Sequence, residues 1–145
     1  MDEAPSEIAF EVPNLPPLKN EAKSMLATGH IHAERVRVLL AAAGEAVRRT
    51  GWTPTIADIS VELVIRGPGS PPGDGTNYLG GIGDVLQAKT NTYNLDLTYL
   101  GELRDVALFV NDRQISRITY RREPAEQWSY SVRVSLVHQP SSATT

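Results

Sequence analysis

The sequence predicts an α/β (α+β) domain, a mixed β-sheet with helices packed on it, in the order β-α-β-α-β-β. Three observations predict it. Ile59, Val61, Leu63 and Ile65 alternate with Ser60, Glu62, Val64 and Arg66, the period of a strand. Trp128, Tyr130, Val132, Val134 and Leu136 alternate in the same way. By contrast, Val36, Leu39, Leu40, Ala43 and Val47 recur at spacings of three and four, the buried stripe of a helix.

In chain order, residues 1–6 read as a disordered leader, 7–138 as a single domain and 139–145 as a disordered tail. Ile8, Phe10 and Val12 alternate with Ala9 and Glu11, which predicts a short first strand. Pro13 and the pair Pro16-Pro17 end it and hold an extended loop through Asn20. Lys19, Asn20 and Lys23 make that region polar. The helical stripe runs from about Ile31 to Arg49. Ala41-Ala42-Ala43 favours helix, Arg48 and Arg49 suit its C-terminal end, and Gly51 supplies a stop.

After the strand at 59–66 comes Gly67-Pro68-Gly69-Ser70-Pro71-Pro72-Gly73, a run that breaks regular structure. From Asn77 to Ala88, Tyr78, Leu79, Ile82, Val85 and Leu86 fit a helical face. Gly80, Gly81 and Gly83 each cost about 1 kcal/mol there, so a weak helix held by tertiary packing is expected. Residues 89–105 form a polar insert containing Tyr93 and Tyr99: a loop, a flap or a short extra helix. Val106 to Val110 is apolar. Residues 114–120 alternate in slightly broken phase and Glu123-Pro124-Ala125-Glu126 reads as a turn, so 114–137 is predicted to be a hairpin.

The chain has 145 residues, 41% hydrophobic and 21% charged, with a net charge of −3 and no cysteine. That suffices for one domain with a real core. No apolar run is long enough to span a bilayer. The first residues lack the basic and apolar regions of a signal peptide. Without cysteine there is no disulfide framework, thiol nucleophile or cysteine-based zinc site. These observations point to a cytoplasmic protein that does not enter a membrane. Net acidity argues against strong nonspecific nucleic-acid binding, yet Arg113, Arg117, Arg121 and Arg122 gather in one stretch.

Two carboxylates stand at the mouths of structured elements. Asp74 follows the strand 59–66, and Asp112 precedes the strand starting at 114. If those strands are neighbours, both acids could meet at one edge of the sheet and hold Mg²⁺, which prefers oxygen ligands. Bound metal can orient a water and stabilise charge on a phosphodiester. Alternatively, Asp74 is a turn-former beside glycine and Asp112 a loop residue. Asp84 would lie two turns up a helix from Asn77, better suited to capping or a salt bridge than to metal. His30 and His32 lack a third ligand of clear spacing. There is no Gly-x-Ser-x-Gly and no Gly-Lys-Ser/Thr of a P-loop.

Together these pieces resemble the RusA family, endonucleases that resolve Holliday junctions. The resemblance covers about residues 8–137. The family's Pro-x-x-Pro-Pro-x-x-Asn matches Pro13-Asn14-Leu15-Pro16-Pro17-Leu18-Lys19-Asn20. Its Asp-x-Asp-Asn-x-x-Lys matches Asp74-Gly75-Thr76-Asn77-Tyr78-Leu79-Gly80, with Asp84-Val85-Leu86 following. Its late Asp-Asp-x-Gln matches Asn111-Asp112-Arg113-Gln114. The resemblance implies a homodimeric, Mg²⁺-dependent nuclease acting on branched DNA. Asp74 and Asp112 would be catalytic metal ligands, supported by Asn77, Asp84 and Gln114. Lys19, Lys23, Arg113 and Arg117 would contact DNA. Two departures stand out: Thr76 replaces the second acid and Gly80 the lysine. They favour a catalytically silent homologue that binds nucleic acid or a protein partner. A third reading is a structural protein with no nucleic-acid role.

Overall fold

A computed structural model of the chain describes residues 5–17, 33–88, 103 and 105–137. The strands β1 (Glu7–Val12), β2 (Ile59–Gly67), β3 (Ile115–Pro124) and β4 (Ser129–Leu136) form one mixed sheet. The helices are α1 (Ala33–Thr50) and α2 (Gly75–Leu86). The α+β class and the element order agree with the sequence reading. The start of the predicted first helix, the loop carrying Lys19 and Lys23, His30, His32, the tail and most of the insert 89–105 lie outside the described residues. Ser6, read as part of the leader, stands just before β1, and its carbonyl accepts a hydrogen bond from Leu136 N at 2.9 Å.

The sheet order is β1-β4-β2-β3. β2 pairs with β4 antiparallel and with β3 parallel. The predicted 114–137 hairpin is therefore wrong in its pairing, because β2 lies between its two strands. The reason is burial. Ile59, Val61, Leu63, Val64 and Ile65 are all at most 4% exposed, so β2 needs a neighbour at each edge. Residues 125–128 step across the end of β2, about two strand spacings of 4.8 Å, within reach of so short a segment.

The crossing has a steric condition. Ala125 N donates to Gly67 O at 3.1 Å. The Trp128 ring lies over Gly67 so closely that a Cβ there would be 2.0 Å from Trp128 Cε3. Only glycine fits beneath it.

The broken phase near residue 115 has a local cause as well. The register shifts between Ile59 and Ser60, which pair with Ile115 and Arg117. Ser116 is the extra residue of a bulge. The bulge sets Ile115 and Ile118 on the same side of the sheet.

One face of the sheet carries the core. Ile8, Phe10 and Val12 meet Val134, Val132 and Tyr130, which in turn meet Val61, Leu63 and Ile65. On this layer α1 sets Val36, Leu39, Leu40, Ala43 and Ala46, all 0% exposed. Val47, predicted for the stripe, packs at its margin. Despite its glycines, α2 forms, burying Tyr78, Ile82, Val85 and Leu86. The segment before β3 is pinned from three sides. Leu108 O accepts from Trp52 Nε1 at 2.9 Å and from Thr55 N at 3.3 Å, while Leu108 N donates to Leu86 O at 2.8 Å. Tyr130 is fully buried, and its hydroxyl has no hydrogen-bond partner among the described residues.

The opposite face is polar. Arg121 pairs with Glu62 at 3.5 Å and Glu123 at 3.0 Å, Arg66 with Glu123 at 3.0 Å, and Arg133 approaches Glu62 at 3.9 Å.

Gly67→Ala should destabilise the protein by about 1–3 kcal/mol through overpacking, measured by urea unfolding. In a Trp128→Ala background the same substitution should cost much less, and equal costs in both would refute the steric explanation.

Candidate functional site

Asp74 is the N-cap of α2. Its carboxylate accepts from Asn77 N at 2.9 Å and from Thr76 Oγ1 at 2.8 Å. Its extended backbone, φ −92° and ψ 164°, is what an N-cap requires. The Asn77 N–H first, and then the Thr76 hydroxyl, hold its pKa below the usual carboxylate value. Gly75 follows because the Tyr120 ring stands 2.7 Å from where a Cβ would be. So α2 begins beside Tyr120. Burial, with the Tyr78 and Asp74 charges adding and Arg122 opposing, raises the Tyr120 hydroxyl pKa.

At its other end α2 meets Asp112. A Cβ on Gly83 would lie 3.7 Å from Asp112 Cβ and 3.6 Å from Ile115 Cδ1. The amide of Asp112 donates to Gln87 Oε1 at 3.0 Å. α2 therefore runs antiparallel to β3, starting near Tyr120 and ending near Ile115.

This geometry corrects the expected pairing of Asp74 with Asp112. The strands they flank are neighbours, as supposed, but they are parallel. Asp74 follows the end of β2, whereas Asp112 precedes the start of β3, so the acids sit at opposite ends of α2. Gly83 is nine residues beyond Asp74, about 13 Å at 1.5 Å per residue. One Mg²⁺ draws two carboxylate oxygens to within roughly 4 Å of each other; two metal ions about 4 Å apart span roughly 8 Å. The backbone rise between the two acids' places along α2 is longer than either span. No group of three His, Asp or Glu suited to a metal occurs among the described residues.

Instead, the structure brings together Thr76, Gly80, Gly83 and Asp112. They border one groove, about 300 Å³, between α2 and the sheet. Thr76, Leu79, Gly80 and Gly83 follow the i, i+3, i+4, i+7 spacing of one helix face. Ile115 and Ile118 form the β3 side, and Val61, Ile82 and Phe109 the floor. The sequence reading missed Leu79 and Ile118 as groove residues. The helical spacing was available, but the bulge that turns Ile118 inward was not.

Gln114 is a clamp. Its Oε1 accepts from Val110 N and Asn111 N, both at 2.9 Å, and its Nε2 donates to Thr55 O and Ala57 O, both at 2.8 Å. Asn111 Oδ1 caps the 3-10 turn Asp112–Gln114 by accepting from Arg113 N at 2.8 Å. This stretch is organised to hold backbone, and it presents the Asp112 carboxylate exposed with no partner among the described residues. Asn77 contributes its amide to the Asp74 cap. Asp84 is half-buried in the last turns of α2. Arg113 and Arg117 are exposed and make no ion pair among the described residues. Lys19 and Lys23 lie outside them.

Neither protein-family models nor curated proteins give a match to the chain. No helix among the described residues is long and apolar enough to cross a membrane.

Asp74→Ala should lower the melting temperature at pH 7, and Asp74→Asn should lower it less, since asparagine also caps. The cap depresses the folded-state pKa, so its stabilisation is present above the unfolded value near 3.9 and lost as pH falls through the lower folded value. The gap between wild type and Asp74→Ala should therefore shrink below about pH 4; a gap unchanged from pH 7 to 2.5 would contradict the cap. Gln114→Glu should destabilise by about 2–4 kcal/mol, because a carboxylate facing two carbonyls loses both donated bonds. Chemical unfolding at pH 7 measures it.

Proposed function

We propose that this chain is a RusA-like protein that binds branched DNA without cutting it. The observation that carries the reading is the meeting of Thr76, Gly80 and Asp112 on one groove. Under the family resemblance these positions correspond to the motif's second acid, its lysine and the late acid. Here they line one groove, with Thr76 and Asp112 toward its two ends, and of the three only Asp112 is charged. The first acid, Asp74, caps α2 and accepts from the Thr76 hydroxyl at 2.8 Å.

Cleavage of a phosphodiester by metal needs charge neutralised at the scissile phosphate. A lone exposed carboxylate beside apolar walls binds Mg²⁺ weakly, since the ion requires several oxygen ligands in near-octahedral geometry. Binding has other requirements. Arg113 and Arg117 flank the groove end of β3, exposed and without ion pairs among the described residues. Guanidinium groups so placed suit phosphate contacts, which position a protein on DNA without reading its sequence. A homodimer, as the resemblance implies, would present two such surfaces to the arms of a four-way junction.

The test uses a synthetic four-way junction and a linear duplex of equal length. The protein should bind the junction more tightly than the duplex, independently of Mg²⁺, and leave both uncut in Mg²⁺ or Mn²⁺. Arg113→Ala/Arg117→Ala should weaken junction binding about tenfold and reduce the salt slope by roughly 2. Metal-dependent cleavage that is lost in Asp112→Asn would overturn the non-cutting reading. Equal affinity for junction and duplex would overturn the branched-DNA reading.

A further inference from the structure

The groove has a property that DNA binding does not use. Its floor is apolar and buried: Val61, Ile82, Leu86 and Phe109 are at most 4% exposed. Its mouth is open, because Ile118, which lines it, is 58% exposed. Polar atoms border it at two places. Asp112 stands at the Gly83 end. Thr76 stands seven residues earlier on α2, about 10 Å away. The Thr76 hydroxyl already donates to Asp74, so toward the groove it offers an acceptor oxygen. The Asp112 carboxylate makes no ion pair among the described residues, and its amide is occupied by Gln87. Both polar features therefore accept hydrogen bonds, one of them bears negative charge, and apolar surface fills the space between.

We propose that this groove binds a small organic ammonium ion, with an apolar body against Val61, Ile82, Leu86 and Phe109 and a protonated nitrogen at Asp112. The cavity, about 300 Å³, is at the lower end of the size of small-molecule sites, which combine apolar walls with a few placed polar groups. The apolar body supplies the drive to leave water, proportional to the area it buries. The carboxylate selects among bodies of equal size by charge. An anionic counterpart lacks this pairing with Asp112, and a neutral one gains only the apolar contact. This inference goes beyond the DNA reading and relies on neither Arg113 nor Arg117.

Three probes of matched shape test it without DNA present: 4-phenylbutylamine, 4-phenylbutan-1-ol and 4-phenylbutanoate. Binding is followed at pH 7 by protein-observed NMR titration. The amine should bind most tightly, about fivefold better than the alcohol, the size of step that an exposed ion pair supports. The carboxylate should bind worst. Asp112→Asn should remove the difference between amine and alcohol while leaving alcohol binding intact. Ile118→Lys, on an exposed edge position, should weaken the amine by placing a cation at the mouth. The proposal fails if no probe shifts groove resonances, if amine and alcohol bind equally to the wild type, or if Asp112→Asn leaves their difference unchanged.

Discussion

The burial of β2 is the constraint from which the other features follow. Its core-facing residues Ile59, Val61, Leu63 and Ile65 lie against the helices, and Val64 on the opposite face is also 2% exposed. Such a strand cannot stand at an edge without leaving backbone groups and apolar side chains in water. β4 covers one side antiparallel and β3 the other in parallel. A parallel neighbour requires a long crossover connection, and α2 lies in it. The strand ends that flank the crossover necessarily lie at opposite ends of the sheet. That placement separates Asp74 from Asp112 and leaves Thr76, Gly80, Gly83 and Asp112 on the lining of one groove.

The glycines of α2 show how tertiary packing outweighs propensity. Gly80, Gly81 and Gly83 weaken the helix by roughly 3 kcal/mol in sum. Against this stand four buried side chains, Tyr78, Ile82, Val85 and Leu86, each worth about 1.5–3 kcal/mol on burial, together with the Asp74 cap. The helix thus depends on its cap and its core face. Both the Asn77 amide and the Thr76 hydroxyl donate to Asp74 Oδ1. Gln114 is likewise engaged, with all four of its hydrogen bonds directed to backbone.

Most of the charge on the open face of the sheet is paired. Arg121, Arg66 and Arg133 are engaged with Glu62 and Glu123, and Arg122 reaches Ser70 at 3.2 Å. The cluster of four arginines visible from 113 to 122 is thereby divided. Exposed pairs of this kind add little stability individually, but they neutralise the open face. Arg113 and Arg117, toward the start of β3, are exposed and make no ion pair among the described residues.

Element types and most of the core are legible in the sequence. Strand and helix periodicities depend only on which neighbours along the chain share a face, and these were legible in Ile59 to Ile65, Tyr130 to Leu136 and Val36 to Ala43. The capping role of Asp74 is not among these: its surroundings read as those of a turn-former or a metal ligand, and the helix begins two residues earlier, at Gly75, than the pattern suggests. Which strands pair, and in which direction, depends instead on long-range packing. The segment 115–136 has the pattern of a hairpin, and nothing local announces that β2 inserts between its halves. The insertion is driven by the burial of β2 and permitted by Gly67 beneath Trp128. Because strand direction is a long-range property, the distance between Asp74 and Asp112 could not be read from their neighbours in sequence. The bulge at Ser116, which brings Ile115 and Ile118 to the same groove, is set by pairing with β2 in the same way.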